Sequence, residues 1–150
     1  LLMAVNGILI ALIEMPLIFL LERKGLMKMI ALGAAIIAMS YAILLLGPWV
    51  GLAWISLLFF TLGEIFSLPF STTVVMNRSP DHLRGRYMAL YGMAFSLCHI
   101  LAPLLGLMAA DNLGFTGLWI ILTVLMLLTT LGYYSLRGAM TKEALAKSES

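Results

Sequence analysis

The sequence has few charged residues and only one cysteine. Asp, Glu, Lys and Arg make up 11% of its 150 residues, against about 25% in soluble domains. With 63% hydrophobic residues and a mean hydropathy of +1.08, the chain carries more apolar surface than a domain of this length can bury. This excludes a water-soluble domain and a disordered chain. The net charge of +2 gives no indication of a nucleic-acid partner.

The sequence also lacks the short motifs of several enzyme classes. It contains no HExxH, no GxSxG and no phosphate-binding GxxxxGK[ST]. Cys98 is the single cysteine, so an intrachain disulfide and a cysteine-based metal cluster are excluded. We therefore expect neither an enzyme nor a metal site nor a cofactor.

Five long apolar runs are present instead. A bilayer core about 30 Å thick requires roughly 20 helical residues. The runs are continuously apolar, whereas barrel strands alternate in polarity. They predict an all-α polytopic membrane protein with five transmembrane helices and a polar cytoplasmic tail at 137–150. The predicted spans cover about 1–21, 27–46, 50–76, 87–110 and 117–136.

All nine Lys and Arg residues fall on one side of this arrangement. They flank the first connection (22–25), lie in or next to the third (77–86), or belong to the tail, and the second and fourth connections have none. The positive-inside rule makes that side cytoplasmic and puts residue 1 outside, in a plasma (inner) membrane. Because the first apolar run is already under way at Leu1, we expect the chain to be part of a longer one.

Two acids lie inside the predicted spans, Glu14 in the first and Glu64 near the middle of the third. A charged side chain at the bilayer centre costs about 2.5–3.5 kcal/mol on insertion scales, so such residues usually face a bundle interior or a cavity. Both are candidates for proton coupling or substrate binding. The alternative is a purely structural acid that pairs between helices.

Polar and helix-breaking residues accompany Glu64. Thr61, Ser67 and Ser71 share its helical face and predict a cavity lining. Gly63 and Pro69 indicate close packing and a break in the backbone ladder. The alternative is that the small residues only let helices approach closely.

Fewer polar residues occur in the other spans. The fourth contains Ser96, a cavity candidate, and His99, which either relays protons or bonds structurally within a helix interface. Pro103 follows as a further break, and Asn6 in the first span is another cavity candidate. The second and fifth spans have no ionisable residue in their apolar core and predict peripheral, lipid-facing helices.

Several local patterns, in their order along the chain, resemble the C-terminal half of a major facilitator superfamily transporter. The resemblance is greatest to the drug-efflux members of that family. The first loop has Glu22, Arg23 and Gly25 followed by Lys28, similar to the cytoplasmic loop signature of the family. Gly63-Glu64 then precedes Pro69, and the next loop reads Arg84-Gly85-Arg86. The next helix contains Ala102-Pro103-Leu104-Leu105-Gly106.

The resemblance implies helices eight to twelve of a twelve-helix fold that works by alternating access. Its implied partners are a small-molecule substrate, protons, the lipid bilayer and an N-terminal half of the same transporter. Proton-coupled efflux is the expected activity. An uptake symporter of the same superfamily and a non-transporting membrane anchor or assembly subunit remain alternatives.

Overall fold

A computed structural model describes the backbone of residues 25–148 and the side chains of residues 25–136. Within this part the chain is helical and has no strand. Helix α1 is Leu26–Leu44, helix α2 is Val50–Arg78, a short 3-10 helix is Asp81–Leu83, and helix α3 is Arg84–Ser148. All three α-helices contain stretches long and apolar enough to cross a membrane.

The predicted count of five helices is not matched, since three long helices are found in the described residues. The first predicted span, 1–21, lies outside them. The fourth and fifth predicted spans both fall within α3, because the expected connection at 111–116 is helical except at Gly114 (φ 71°, ψ 170°). Polar residues there indicated a loop, but Asn112 is accommodated in the helix by donating from Nδ2 to the Met108 carbonyl at 2.7 Å.

Gly114 divides α3 into segment α3a, residues 84–113, and segment α3b, residues 115–148. Arg84 follows closely on the end of α2, and Tyr134 lies with Lys28 on a shared groove at the same end of the bundle. A straight helix would separate residues 84 and 134 by about 75 Å. The chain therefore reverses at Gly114, whose positive φ suits glycine.

The connection after α2 is shorter than the predicted 77–86. The helix continues to Arg78, and Ser79 takes an extended conformation (φ −82°, ψ 131°) because the following Pro80 disfavours helical geometry before it. The Ser79 hydroxyl donates to the Val75 carbonyl at 2.6 Å and caps the helix end. The 3-10 turn then leads directly into α3a.

Helix α1 is central in the described part, which makes the prediction of a lipid-facing second span wrong there. It packs antiparallel against both α2 and α3b and buries eight of its 19 residues. Small side chains allow this close packing on two sides. The buried core includes Met29, Ile30 and Phe70, with Tyr133 of α3b packed against it.

Segment α3a presents a different surface. None of residues 84–113 is buried, and Leu90, Met93 and Ile100 are 64%, 69% and 70% exposed. Surfaces of this kind are tolerated in lipid or against further membrane helices, not in water. The fold therefore combines a packed trio, α1 with α2 and α3b, and an apolar segment beside it.

Candidate functional site

Helices α1 and α2 cross at Gly33 and Gly63, and their backbones touch there. A Cβ atom added to Gly33 would lie 2.7 Å from the Gly63 carbonyl oxygen and 2.9 Å from the Ser67 nitrogen. A Cβ on Gly63 would overlap Cγ1 of Ile37. Only glycine fits at either position, and this close approach brings the residues beside Gly63 next to α1.

Glu64 is the middle residue of the 29 in α2 and is half-buried. At 1.5 Å per residue it lies about 21 Å from each end of the helix, which is the depth of a bilayer midplane. Tyr41 of α1 lies close enough to Glu64 to be within the electrostatic influence of its carboxylate. The site thus places an acid and a phenol on the two helices that cross here.

Aromatic rings surround Tyr41. The Phe60 ring, one turn before Glu64, meets it edge-on at a centroid distance of 6.1 Å. The Trp119 ring of α3b stacks on it at 6.2 Å with an interplanar angle of 15°. All three described α-helices therefore contribute to one cluster, which we call the Glu64–aromatic site: Glu64, Tyr41, Phe60 and Trp119.

The hydroxyl groups predicted to line a cavity are occupied by their own helix. Thr61 donates to the Leu57 carbonyl at 2.9 Å, and Ser71 donates to the Ser67 carbonyl at 2.8 Å. Thr61 is fully buried, whereas Ser67 and Ser71 are half-buried beside Glu64. With its proton used in this way, the half-buried Ser71 oxygen can accept a hydrogen bond from a ligand, but donating one requires the helix bond to be given up.

Pro69 lies inside α2, one turn after Ile65. It has no N–H, so the Ile65 carbonyl loses its helical donor one residue away from Glu64. The helix nevertheless continues to Arg78, and the Thr73 hydroxyl donates to the Pro69 carbonyl at 2.9 Å. Without that amide donor, the Ile65 carbonyl can accept a hydrogen bond from another group near Glu64.

The candidates of the fourth predicted span lie on α3a. His99 is exposed, with its Nδ1 3.1 Å from the Phe95 carbonyl and its ring 4.4 Å from the Phe95 ring. A hydrogen bond to a carbonyl requires Nδ1 to be the donor, which leaves Nε2 available to accept. Ser96 and Pro103 are exposed on the same segment. The contacts described for His99 stay within α3a and do not join it to the Glu64–aromatic site.

The loop residues gather at one end of the bundle, which we call the basic end: Lys28, Arg78, Arg84 and Arg86. Gly25 precedes α1, and its carbonyl accepts from the Lys28 amide at 2.9 Å. Arg84 pairs with Asp81 at 2.6 Å on the surface. Gly85 and Arg86 are exposed in the first turn of α3a. Glu22 and Arg23 lie outside the described residues, as do Asn6 and Glu14.

Sequence reasoning missed Tyr41, Phe60 and Trp119. The three rings belong to three helices that are far apart in the sequence. The order of residues along the chain therefore gives no sign that the rings come together. One signal was present: Gly33, Ala34, Ala38 and Ser40 recur at helical spacing before and beside Tyr41, a pattern typical of a packed helix. No group of three His, Cys, Asp or Glu residues able to hold a metal occurs in the described residues.

Comparison with known proteins gives one match. The family model described as Major Facilitator Superfamily matches residues 1–149, almost the whole chain. No curated protein and no solved structure matches significantly.

Proposed function

Because the chain belongs to the Major Facilitator Superfamily, a family of membrane transporters rather than enzymes, we propose that it exports a small molecule in exchange for protons. The chain is an integral membrane protein with apolar membrane-spanning helices. Transport proceeds by alternating access, in which two halves rock about a site at the bilayer midplane. The five predicted spans act as helices eight to twelve, and an N-terminal half of the same transporter supplies the opposite wall.

The observation that carries the proposal is the position of Glu64. It is the middle residue of a 29-residue apolar helix, beside the backbone-to-backbone crossing with α1 and within electrostatic reach of Tyr41. Inserting an acidic side chain at this depth costs free energy, and such residues commonly bind an ion or a substrate. Proton binding and release at this carboxylate couples the site to the pH gradient.

The aromatic rings around the carboxylate favour a lipophilic cation as substrate. Tyr41 and Trp119 stack on each other beside Glu64, which supplies the negative charge that a bound cation requires. A cation over an aromatic face gains about 0.5–2 kcal/mol, most when it is desolvated. Substrate cation and proton then compete for one carboxylate, which is the simplest basis for exchange. Efflux is also favoured because Gln is absent and Asn6 is the only Asn in the polar predicted spans, so sugar-binding amides are scarce.

The proposed orientation follows from the basic end. Its Lys and Arg side chains face the cytoplasm of a plasma (inner) membrane, with the C-terminal tail on the same side and the N-terminal end of the chain outside. Glu14, on the predicted first span, is a second candidate for proton coupling. His99 is a third, and Ser96 and Asn6 remain cavity candidates.

Transport of ethidium, an aromatic cation, tests the proposal. The complete transporter, this chain together with its N-terminal half, is reconstituted into vesicles, a pH gradient is imposed, and ethidium movement is followed by fluorescence. Glu64→Gln keeps the size and polarity of the side chain but cannot exchange a proton. We expect pH-driven ethidium transport to fall at least tenfold in this variant.

Asp111→Asn is the matched control, since Asp111 is an exposed acid near the Gly114 turn, at the end of α3a. It should transport ethidium at the unmodified rate, and far-UV circular dichroism should show both variants equally helical. Unchanged pH-driven transport in Glu64→Gln would remove Glu64 from the mechanism. Ethidium transport absent from the unmodified protein would remove the proposed substrate class.

A further inference from the structure

A groove opens between α1 and α3b at the basic end. It has a volume of about 310 Å³ and is lined by Met27, Lys28, Ala31, Leu32, Thr130 and Tyr134. We propose that it binds one anionic phospholipid, with the phosphate at Lys28 and an acyl chain along Leu32. This site is separate from the Glu64–aromatic site, and the inference does not depend on the proposed function.

The depth of the lining residues fits a lipid lying along the bundle. Lys28 is the third residue of α1 and is exposed at its beginning, where a headgroup would lie. Leu32 is one turn deeper and 45% exposed, at acyl-chain level. Tyr134 is 65% exposed at the same end as Lys28 and presents the amphipathic ring typical of a membrane interface.

The wall of the groove is apolar except at its mouth. Thr130, the polar residue on the α3b side, donates its hydroxyl to the Met126 carbonyl at 2.8 Å and so has no proton to offer a polar guest. Ala31 is buried and forms the floor. An occupant therefore needs an apolar chain below and an anionic group above, the two parts of an anionic phospholipid.

The charge at the mouth is not neutralised by the acids that the structure describes. Asp81 pairs with Arg84, Glu64 is at the middle of α2, and Asp111 lies towards the opposite end. In the sequence, residues 22–28 contain one acid and three bases. Basic side chains between membrane helices at headgroup depth are the usual recognition elements for anionic lipids.

A tryptophan reporter can test this lipid preference. Tyr134→Trp places a fluorophore on the groove, while Trp49, Trp54 and Trp119 belong to the other half of the bundle and give a background measured with the unmodified protein. The protein is reconstituted in phosphatidylcholine vesicles that contain a small fraction of a lipid with brominated acyl chains, which quench nearby tryptophan. The brominated lipid is phosphatidylglycerol in one sample and phosphatidylcholine in the other. We expect phosphatidylglycerol to be preferred about fivefold, the factor that one lysine near an anionic surface provides.

Adding Lys28→Gln to the reporter should bring that preference close to one, while Lys28→Arg should keep it. Arg86→Gln is the matched control, an exposed base of the basic end outside the groove, and should leave the preference intact. Equal quenching by both brominated lipids in the reporter protein would overturn the proposal, since the groove would then bind acyl chains without selecting for an anionic headgroup. Absence of quenching by either lipid would also overturn it, since protein would then cover the groove.

Discussion

Replacing Gly63 with Ala perturbs the crossing that positions Glu64. The added Cβ overlaps Cγ1 of Ile37 and lies 2.8 Å from the Gly33 oxygen and 3.0 Å from the Ile37 nitrogen. Two of these three atoms belong to the backbone and cannot rotate away, so α1 and α2 must move apart. Overpacking of this kind costs about 1–3 kcal/mol. Alanine also favours the helix over glycine by up to about 1 kcal/mol, which partly offsets the clash.

Gly51→Ala isolates the clash from the helix preference. Gly51 lies on the same helix, and a Cβ there meets no atom within 4 Å. We expect Gly63→Ala to be less stable than Gly51→Ala by about 1–3 kcal/mol, measured by unfolding in mixed micelles with increasing dodecyl sulfate and followed by far-UV circular dichroism.

The double variant of Gly33→Ala and Gly63→Ala provides a second check. Both substitutions separate the same pair of helices, so their combined effect on the free energy of unfolding should be smaller than the sum of the two single effects. Equal stability of Gly63→Ala and Gly51→Ala would refute the close crossing on which the Glu64–aromatic site depends.

Three further changes have expected outcomes in the same unfolding assay. Ser56→Ala removes the buried hydroxyl that donates to the Ser40 carbonyl of α1 at 2.8 Å and should lower stability by about 0.5–1.5 kcal/mol; an unchanged value would mean that this bond adds nothing. Gly114→Ala forces a Cβ into a conformation (φ 71°, ψ 170°) that is essentially reserved for glycine. It should lower stability by about 1–3 kcal/mol although the space around it is open, whereas a stabilising effect would contradict the turn. Asp81→Asn removes an exposed ion pair to Arg84 and should leave unfolding unchanged within error, so a large loss would show that the pair organises the connection.

The membrane-helix class could be predicted from the sequence, because continuous apolar runs of about 20 residues have few alternative structures. The resemblance to the major facilitator superfamily was confirmed by the family match. The helix count was not matched in the described residues. The reversal at Gly114 lies inside the predicted connection, 111–116, but the residues on either side of this glycine are helical.

The sequence already singles out two residues at the candidate site, whose role stays a prediction. Glu64 is conspicuous as an isolated acid in an apolar run, and Gly63 is next to that acid. Tyr41 and Trp119 could not be found, since their importance comes from helix packing that joins residues 41, 64 and 119. The absence of ionisable residues from the core of α1 suggested a lipid-facing helix. Small residues instead allow α1 to pack on two sides without charged side chains.

Proton movement during ethidium transport tests the central claim most directly. Vesicles containing the protein and a trapped pH dye receive an ethidium gradient with no imposed pH difference. We predict that protons move against the flow of ethidium in the unmodified protein, and that Glu64→Gln, which removes the carboxylate used by both cations, abolishes proton movement and lowers ethidium transport with it. Proton movement in the same direction as ethidium, or undiminished counterflow of protons in Glu64→Gln, would contradict it.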